Sequence, residues 1–222
     1  EIPLSYEVIN PPINIEITNK EENLIFKTPT NFNIVASKEY YNDGFTYQIK
    51  QMPANAGLIS VNGIEYAGGI LPLADPNNSQ ITFLPTLEGN ISLELIIRDK
   101  VAGESKQNLN FEVTNPDIKV DLTDREPDII VQSPSSFNFT VDKLKYSGKF
   151  YYQIKQEPAN AGTIKVNNNL YTGNKLLVSD PNSNLVTFTA TQTGAVTLYL
   201  TITDEWGKTI TKLINYSVSN SD

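Results

Sequence analysis

The sequence predicts an all-β chain of two tandem β-sandwich domains, and three observations lead there. Short runs alternate apolar with polar residues, many of them β-branched, between clusters of Gly, Pro, Asn and Asp. No segment keeps a helical period. One unit is written twice, in register: Tyr47-Gln48-Ile49-Lys50-Gln51 returns as Tyr152-Gln153-Ile154-Lys155-Gln156, and Pro53-Ala54-Asn55-Ala56-Gly57 as Pro158-Ala159-Asn160-Ala161-Gly162. The same offset of about 105 residues pairs Asp75-Pro76-Asn77 with Asp180-Pro181-Asn182, Phe83 with Phe188, Gly89 with Gly194 and Asp99 with Asp204, and roughly 40 of about 103 aligned positions are identical.

In the first unit, strands are expected near Ile13 to Thr18, Asn33 to Ala36, Phe45 to Gln51, Gly57 to Val61, Gln80 to Leu84, Ile91 to Arg98 and Gln107 to Val113. About seven strands in about 105 residues fit a sandwich. The second unit repeats the scheme and closes with Leu185 to Ala190, Val196 to Thr203 and Ile210 to Val218. There Val196, Leu198, Leu200 and Ile202 alternate with Thr197, Tyr199, Thr201 and Thr203, so one face is committed to a core. Asn62-Gly63 and Asp204-Glu205-Trp206-Gly207 read as hairpin turns.

The boundaries follow from the repeat. Residues 11–115 form the first domain and 116–222 the second. Leu4, Tyr6-Glu7-Val8 and Asn10-Pro11 match Leu109, Phe111-Glu112-Val113 and Asn115-Pro116, so residues 1–10 read as the last strand of a preceding repeat, or else as an N-terminal strand, and the chain as an excerpt of a longer array. Asn115-Pro116 leaves little free linker, and Pro116 restricts the backbone on both sides. A stiff, end-to-end arrangement of the two domains is expected.

Composition narrows the chemistry. Among the 222 residues there is no Cys, so disulfides, thiolate metal sites and cysteine nucleophiles are excluded. There is no His either, which removes the usual general base and the commonest transition-metal ligand. A net charge of -8, with 17 scattered basic residues, argues against nucleic acid or anionic lipid as partner. No apolar run is long enough for a membrane helix, and no cofactor is expected.

The acids shared by both units are the first place to look for a site. Asp75 and Asp180 lie in Asp-Pro-Asn turns, and Asp99 and Asp204 close a strand before a hairpin. They are weak calcium candidates or a carboxylate pair for acid/base work, against the plainer reading that each accepts backbone hydrogen bonds in a turn. They lack the ligand spacing of a calcium loop. Glu16, Asn19 and Glu21, matched by Asp121, Asp124 and Glu126, could assist calcium at the domain junction. Among aromatic residues, Trp206 stands where the first unit has Val101 and is the candidate ligand-binding anchor, with Tyr40, Tyr41, Tyr151 and Tyr199 on or beside strands. The plainer alternative is that Trp206 packs on its own loop. Asn-x-Ser/Thr sequences, among them those at Asn90, Asn138 and Asn215, are frequent accidental matches and carry information only in a secreted eukaryotic protein.

The pattern Gln80-x-Thr82-Phe83-x-Pro85-Thr86-x-x-Gly89, with a strand ending at Asp99, resembles the closing half of the immunoglobulin-like repeats in large bacterial surface adhesins. The second copy reads Thr187-Phe188-x-Ala190-Thr191-x-x-Gly194 and ends in Asp204-x-x-Gly207. More distantly, Tyr152-x-Ile154-x-Gln156, Gly162-x-Ile164, Asp180 and Thr201-x-Thr203-Asp204-x-x-Gly207 are similar to the TraQ-type immunoglobulin-like domain of Bacteroides conjugative transposons. The resemblance implies immunoglobulin-like domains and a non-catalytic stalk of a cell-surface adhesin; the alternative is a ligand-binding immunoglobulin-like module of an envelope, conjugation or phage structural protein. Its partners would be neighbouring repeats of the same chain and a surface glycan or protein.

Overall fold

The structure, a computed structural model, describes residues 10–40 and 44–221. The expected strand at Leu4 to Val8 and the candidate Tyr41 lie outside the described residues. The chain divides into two compact units, the first ending at Asn115 and the second beginning at Pro116.

The first unit runs β1 (Asn14–Thr18), β2 (Asn23–Ile25), β3 (Thr30–Ser37), β4 (Thr46–Met52), β5 (Gly57–Val61), β6 (Ile64–Glu65), β7 (Leu71–Pro72), β8 (Ser79–Pro85), β9 (Gly89–Arg98) and β10 (Glu104–Thr114). One sheet has the order β1-β3-β8-β5-β6 and the other β2-β10-β9-β4-β7. The second unit repeats this with β11 (Lys119–Thr123), β12 (Asp128–Ile130), β13 (Pro134–Asp142), β14 (Phe150–Glu157), β15 (Gly162–Val166), β16 (Asn169–Leu170), β17 (Leu176–Leu177), β18 (Asn184–Ala190), β19 (Gly194–Asp204) and β20 (Thr209–Ser219). Its sheets are β11-β13-β18-β15-β16 and β12-β20-β19-β14-β17. Neighbours β1-β3-β8-β5 and β4-β9-β10 reproduce the two sheets of an immunoglobulin sandwich, so the expected fold class is the one that forms.

Among the described residues each unit holds ten strands rather than the expected seven. The additions are β2, β6 and β7 with their counterparts, only two or three residues each, too short to show a period of two. β2 pairs parallel to β10, placing Leu24 in the core; β6 and β7 are exposed edge strands.

Alternation decides which residues meet between the sheets. Phe32, Ile34 and Ala36 of β3, Ile81 and Phe83 of β8, and Leu93, Leu95 and Ile97 of β9 interleave in the first core. Phe137, Phe139, Phe188, Leu198, Leu200 and Ile202 do so in the second. Asn62 and Gly63 both take positive φ, 51° and 77°, as a tight hairpin between twisted strands requires, and Asn62 Oδ1 accepts the Gln80 N–H. Asn167 repeats that bond to Leu185 with φ 49°.

The recurring Pro-Ala-Asn-Ala-Gly segment acquires its reason here. It follows a cis X-Pro bond in both units, and Asn55 and Asn160 sit at φ 59°. A Cβ on Gly57 would stand 2.4 Å from both Leu84 O and Phe83 Cε2, and one on Gly162 2.4 Å from Thr189 O, so only glycine lets the backbone lie against the core phenylalanine. Gln51 then clasps Gly57, accepting its N–H and donating to its carbonyl, as Gln156 does for Gly162.

Among the described residues, three buried side-chain oxygens find no hydrogen-bond partner: Ser135 Oγ, Asn184 Oδ1 and the Tyr216 hydroxyl. Tyr216 stacks on Phe188 at 5.3 Å between centroids, and its hydroxyl is buried with no hydrogen-bond partner, where the first unit has Phe111. Burial pushes the phenol up to about 12, with Arg125 pulling the other way. A raised folded value means that the neutral phenol's contribution is complete below about pH 10 and is lost as pH rises towards 12. Tyr216→Phe is therefore expected to raise unfolding free energy by about 1 kcal/mol in urea titrations at neutral pH. Its stability should also fall less than the parent's between pH 10 and 12.

Candidate functional site

The inward face of β3 does not end with its apolar residues. Phe32, Ile34 and Ala36 are followed, two residues on, by Lys38, which occupies the next core-facing position with only 3 % of its side chain exposed. β9 delivers the partner: Asp99 follows its last residue, and the Asp99 side chain is wholly buried. Lys38 Nζ donates to Asp99 Oδ2 and also to Asn10 Oδ1. The other carboxylate oxygen, Asp99 Oδ1, accepts the N–H of Val101 at 2.9 Å and of Gly103 at 2.7 Å. A Cβ on Gly103 would lie 2.4 Å from Asp99 Oδ2, so glycine leaves the room the carboxylate occupies. Burial by itself would raise the Asp99 carboxyl, but Lys38 and the N–H donors of Gly103 and Val101 outweigh it and hold it below its ordinary value.

The second unit rebuilds the pair. Lys143 follows Phe137, Phe139 and Val141 on the inward face of β13, and its Nζ donates to Asp204 Oδ2, both side chains being fully buried. Asp204 Oδ1 accepts the Lys208 N–H at 2.8 Å. Because β3 and β9 belong to opposite sheets, as do β13 and β19, each pair is a polar tie across the sandwich.

Trp206 belongs to this arrangement. It is half-buried at the hairpin between β19 and β20, meets the Tyr146 ring edge-on at 4.7 Å between centroids, and lies 4.3 Å from Lys143 Nζ. Tyr146 faces the same ammonium at 5.1 Å; its hydroxyl accepts the Glu205 N–H and donates to Lys149 O. The two rings cover the buried pair with their faces towards the cation.

The remaining candidates fall elsewhere. Asp75 and Asp180 are exposed; Asp75 Oδ1 accepts the N–H groups of Asn77 and Asn78, and Asp180 Oδ1 that of Asn182. Those turns also dock on the strands, since Pro76 O accepts the Ala36 N–H and Pro181 O that of Val141. Glu16, Asn19, Glu21, Asp121, Asp124 and Glu126 are all exposed, with Asn19 and Asp124 in turns at φ near 60°. Among the described residues, no three acidic side chains gather into a group able to hold a metal. Tyr40 is exposed, Tyr151 is half-buried, and Tyr199 donates to Glu157 Oε2.

Sequence reasoning singled out Asp99 and Asp204 but missed Lys38 and Lys143. The signal was present: in each unit a lysine continues an inward-facing alternation at the same repeat position.

No family model matches the sequence, and no curated protein matches it. Solved structures that resemble it include a lipoprotein from Bacteroides thetaiotaomicron, 13 % identical over 49 % of this chain and 85 % of that one, with a TM-score of 0.42. A conjugative transposon lipoprotein from Bacteroides eggerthii is 14 % identical over 45 % and 95 %, at 0.41. The Yersinia pseudotuberculosis adhesin InvE is 12 % identical over 93 % and 60 %, at 0.34.

A buried pair that loses one member leaves an uncompensated charge. Lys143→Met is expected to destabilise the second unit by about 3 to 5 kcal/mol in guanidinium unfolding, and Lys143→Met with Asp204→Leu to recover most of that loss. A single variant as stable as the parent would show that the pair contributes nothing to the sandwich.

Proposed function

We propose that the chain is a non-catalytic segment of tandem immunoglobulin-like repeats, serving as a stiff spacer in the stalk of a bacterial cell-surface adhesin. The observation that carries this reading is what the two units have in common. Gln51 and Gln156 clasp a backbone glycine, and Asp75 and Asp180 order a turn. Tyr66 and Tyr171 each accept a β4 or β14 N–H, and Lys38–Asp99 and Lys143–Asp204 tie sheet to sheet. Residues that recur are thus occupied in building the sandwich, as expected where length and rigidity are what each repeat supplies.

An enzyme working by a carboxylate pair, as glycosidases do, needs two carboxylates facing one pocket. The buried acids here are each engaged by a lysine in separate units. The chemistry excluded by composition points the same way, since there is neither His nor Cys. The short Asn115-Pro116 junction supports a rod in which repeats follow one another with little slack.

Each domain would add roughly 35 to 45 Å of reach. Small-angle scattering of the 222-residue chain should therefore give a maximum dimension of about 70 to 90 Å, whereas a compact particle with the domains side by side would sink the spacer reading. Trp206→Ala separates the spacer from a ligand-binding module. It should lower the thermal midpoint by uncovering Lys143 and leave binding to cells and glycan arrays unchanged. Binding lost with the fold intact would favour the module.

A further inference from the structure

The most unusual chemistry in the described residues is the group around Lys38. A primary amine, a carboxylate and a carboxamide converge there: Lys38 Nζ touches Asn10 Oδ1 on one side and Asp99 Oδ2 on the other. In water an amine and an amide do not react at a useful rate. Here the amine is buried to 3 % exposure, and its approach to the amide is fixed by the fold, the condition under which intramolecular reactions gain most.

We propose that Lys38 and Asn10 join in an intramolecular amide bond, with Asp99 carrying the proton. Asp99 is built for that part. Two backbone N–H groups fix its Oδ1, so Oδ2 is left directed at Lys38 Nζ, and Gly103 leaves space beside it. Asp99 Oδ2 takes a proton from the lysine ammonium. The freed Nζ lone pair attacks Asn10 Cγ, forming the Nζ–Cγ bond and a tetrahedral centre. A proton passes through Asp99 to Asn10 Nδ2, the Cγ–Nδ2 bond breaks, and ammonia leaves. One ammonium and one carboxamide become one secondary amide and one ammonium ion, with no change of oxidation state and no co-reactant.

The alternative acyl donor is Asp99 itself. Burial opposes its charge, but Lys38, Gly103 and Val101 hold the carboxyl below its ordinary value, so it stays a carboxylate, a poor electrophile; its place as proton acceptor comes from the contact of Oδ2 with Lys38 Nζ. Asn10 carries the better leaving group of the two and is exposed, which gives the departing ammonia a path to solvent. The bond would fasten the segment before β1 to the end of β3 covalently, so that pulling on the chain at Asn10 would load an amide rather than a row of hydrogen bonds.

The test is peptide mapping of the purified 222-residue chain, denatured and digested with trypsin. The expected product is a branched peptide joining the segment with Asn10 to the segment with Lys38, about 17 Da lighter than the two linear peptides together, with no cleavage after Lys38. Asn10→Ala changes an exposed residue and should keep the parent's circular dichroism. Asn10→Ala and Asp99→Asn should both give linear peptides of unaltered mass and restore cleavage at Lys38. Linear peptides from the parent chain would overturn the proposal. So would a branch to Asp99 with loss of about 18 Da, the mass of water, and a branch that persists in Asp99→Asn would overturn the role of Asp99.

Discussion

Taking an ammonium and a carboxylate out of water costs several kcal/mol for each ion, and mutual attraction offsets that cost only where geometry is tight and the spare lone pairs are satisfied. Lys38–Asp99 and Lys143–Asp204 sit under that constraint between the sheets, and the surrounding structure is arranged to meet it. The strand that ends at the lysine must present it inward, so its alternation cannot slip by one residue. The hairpin after the aspartate must turn its backbone N–H groups onto the free oxygen. In the first unit that hairpin needs Gly103; in the second it carries Lys208 N–H and the Trp206 ring. Register, turn shape and aromatic cover are therefore coupled through one buried pair.

A second constraint acts on the opposite strand pair. Gly57 and Gly162 let the backbone lie against Phe83 and Phe188, and the clasping glutamines supply the hydrogen bonds that β5 and β15 would otherwise lack at their start. These sites tolerate little because the contact is with backbone and an immobile ring. The surface between them is free to differ, and it does: Val101 and Trp206 occupy the same repeat position with different tasks.

The residues that the two units share are spent on holding each sandwich together, and in each unit one polar tie runs from sheet to sheet. Each tie joins strands that lie in different sheets, so sliding the sheets apart exposes two charges at once. The second unit adds aromatic cover to its tie, through Tyr146 and Trp206.

The sequence by itself determined the all-β class, the two-fold repetition and most of the strands. Period-two alternation and internal identity are local signals, and they survive without knowledge of what each strand faces. It pointed to Asp99 and Asp204 through their recurrence, and to the turn at Asn62-Gly63 through backbone preference. It did not show β2, β6 and β7, whose two or three residues hold no period and pair only because neighbouring strands offer an edge. Nor did it show that Trp206 covers a cation, or that Lys38 meets Asp99 and Asn10. Those contacts span 61 and 28 residues, and no local pattern encodes a distance that only the packing of two sheets creates.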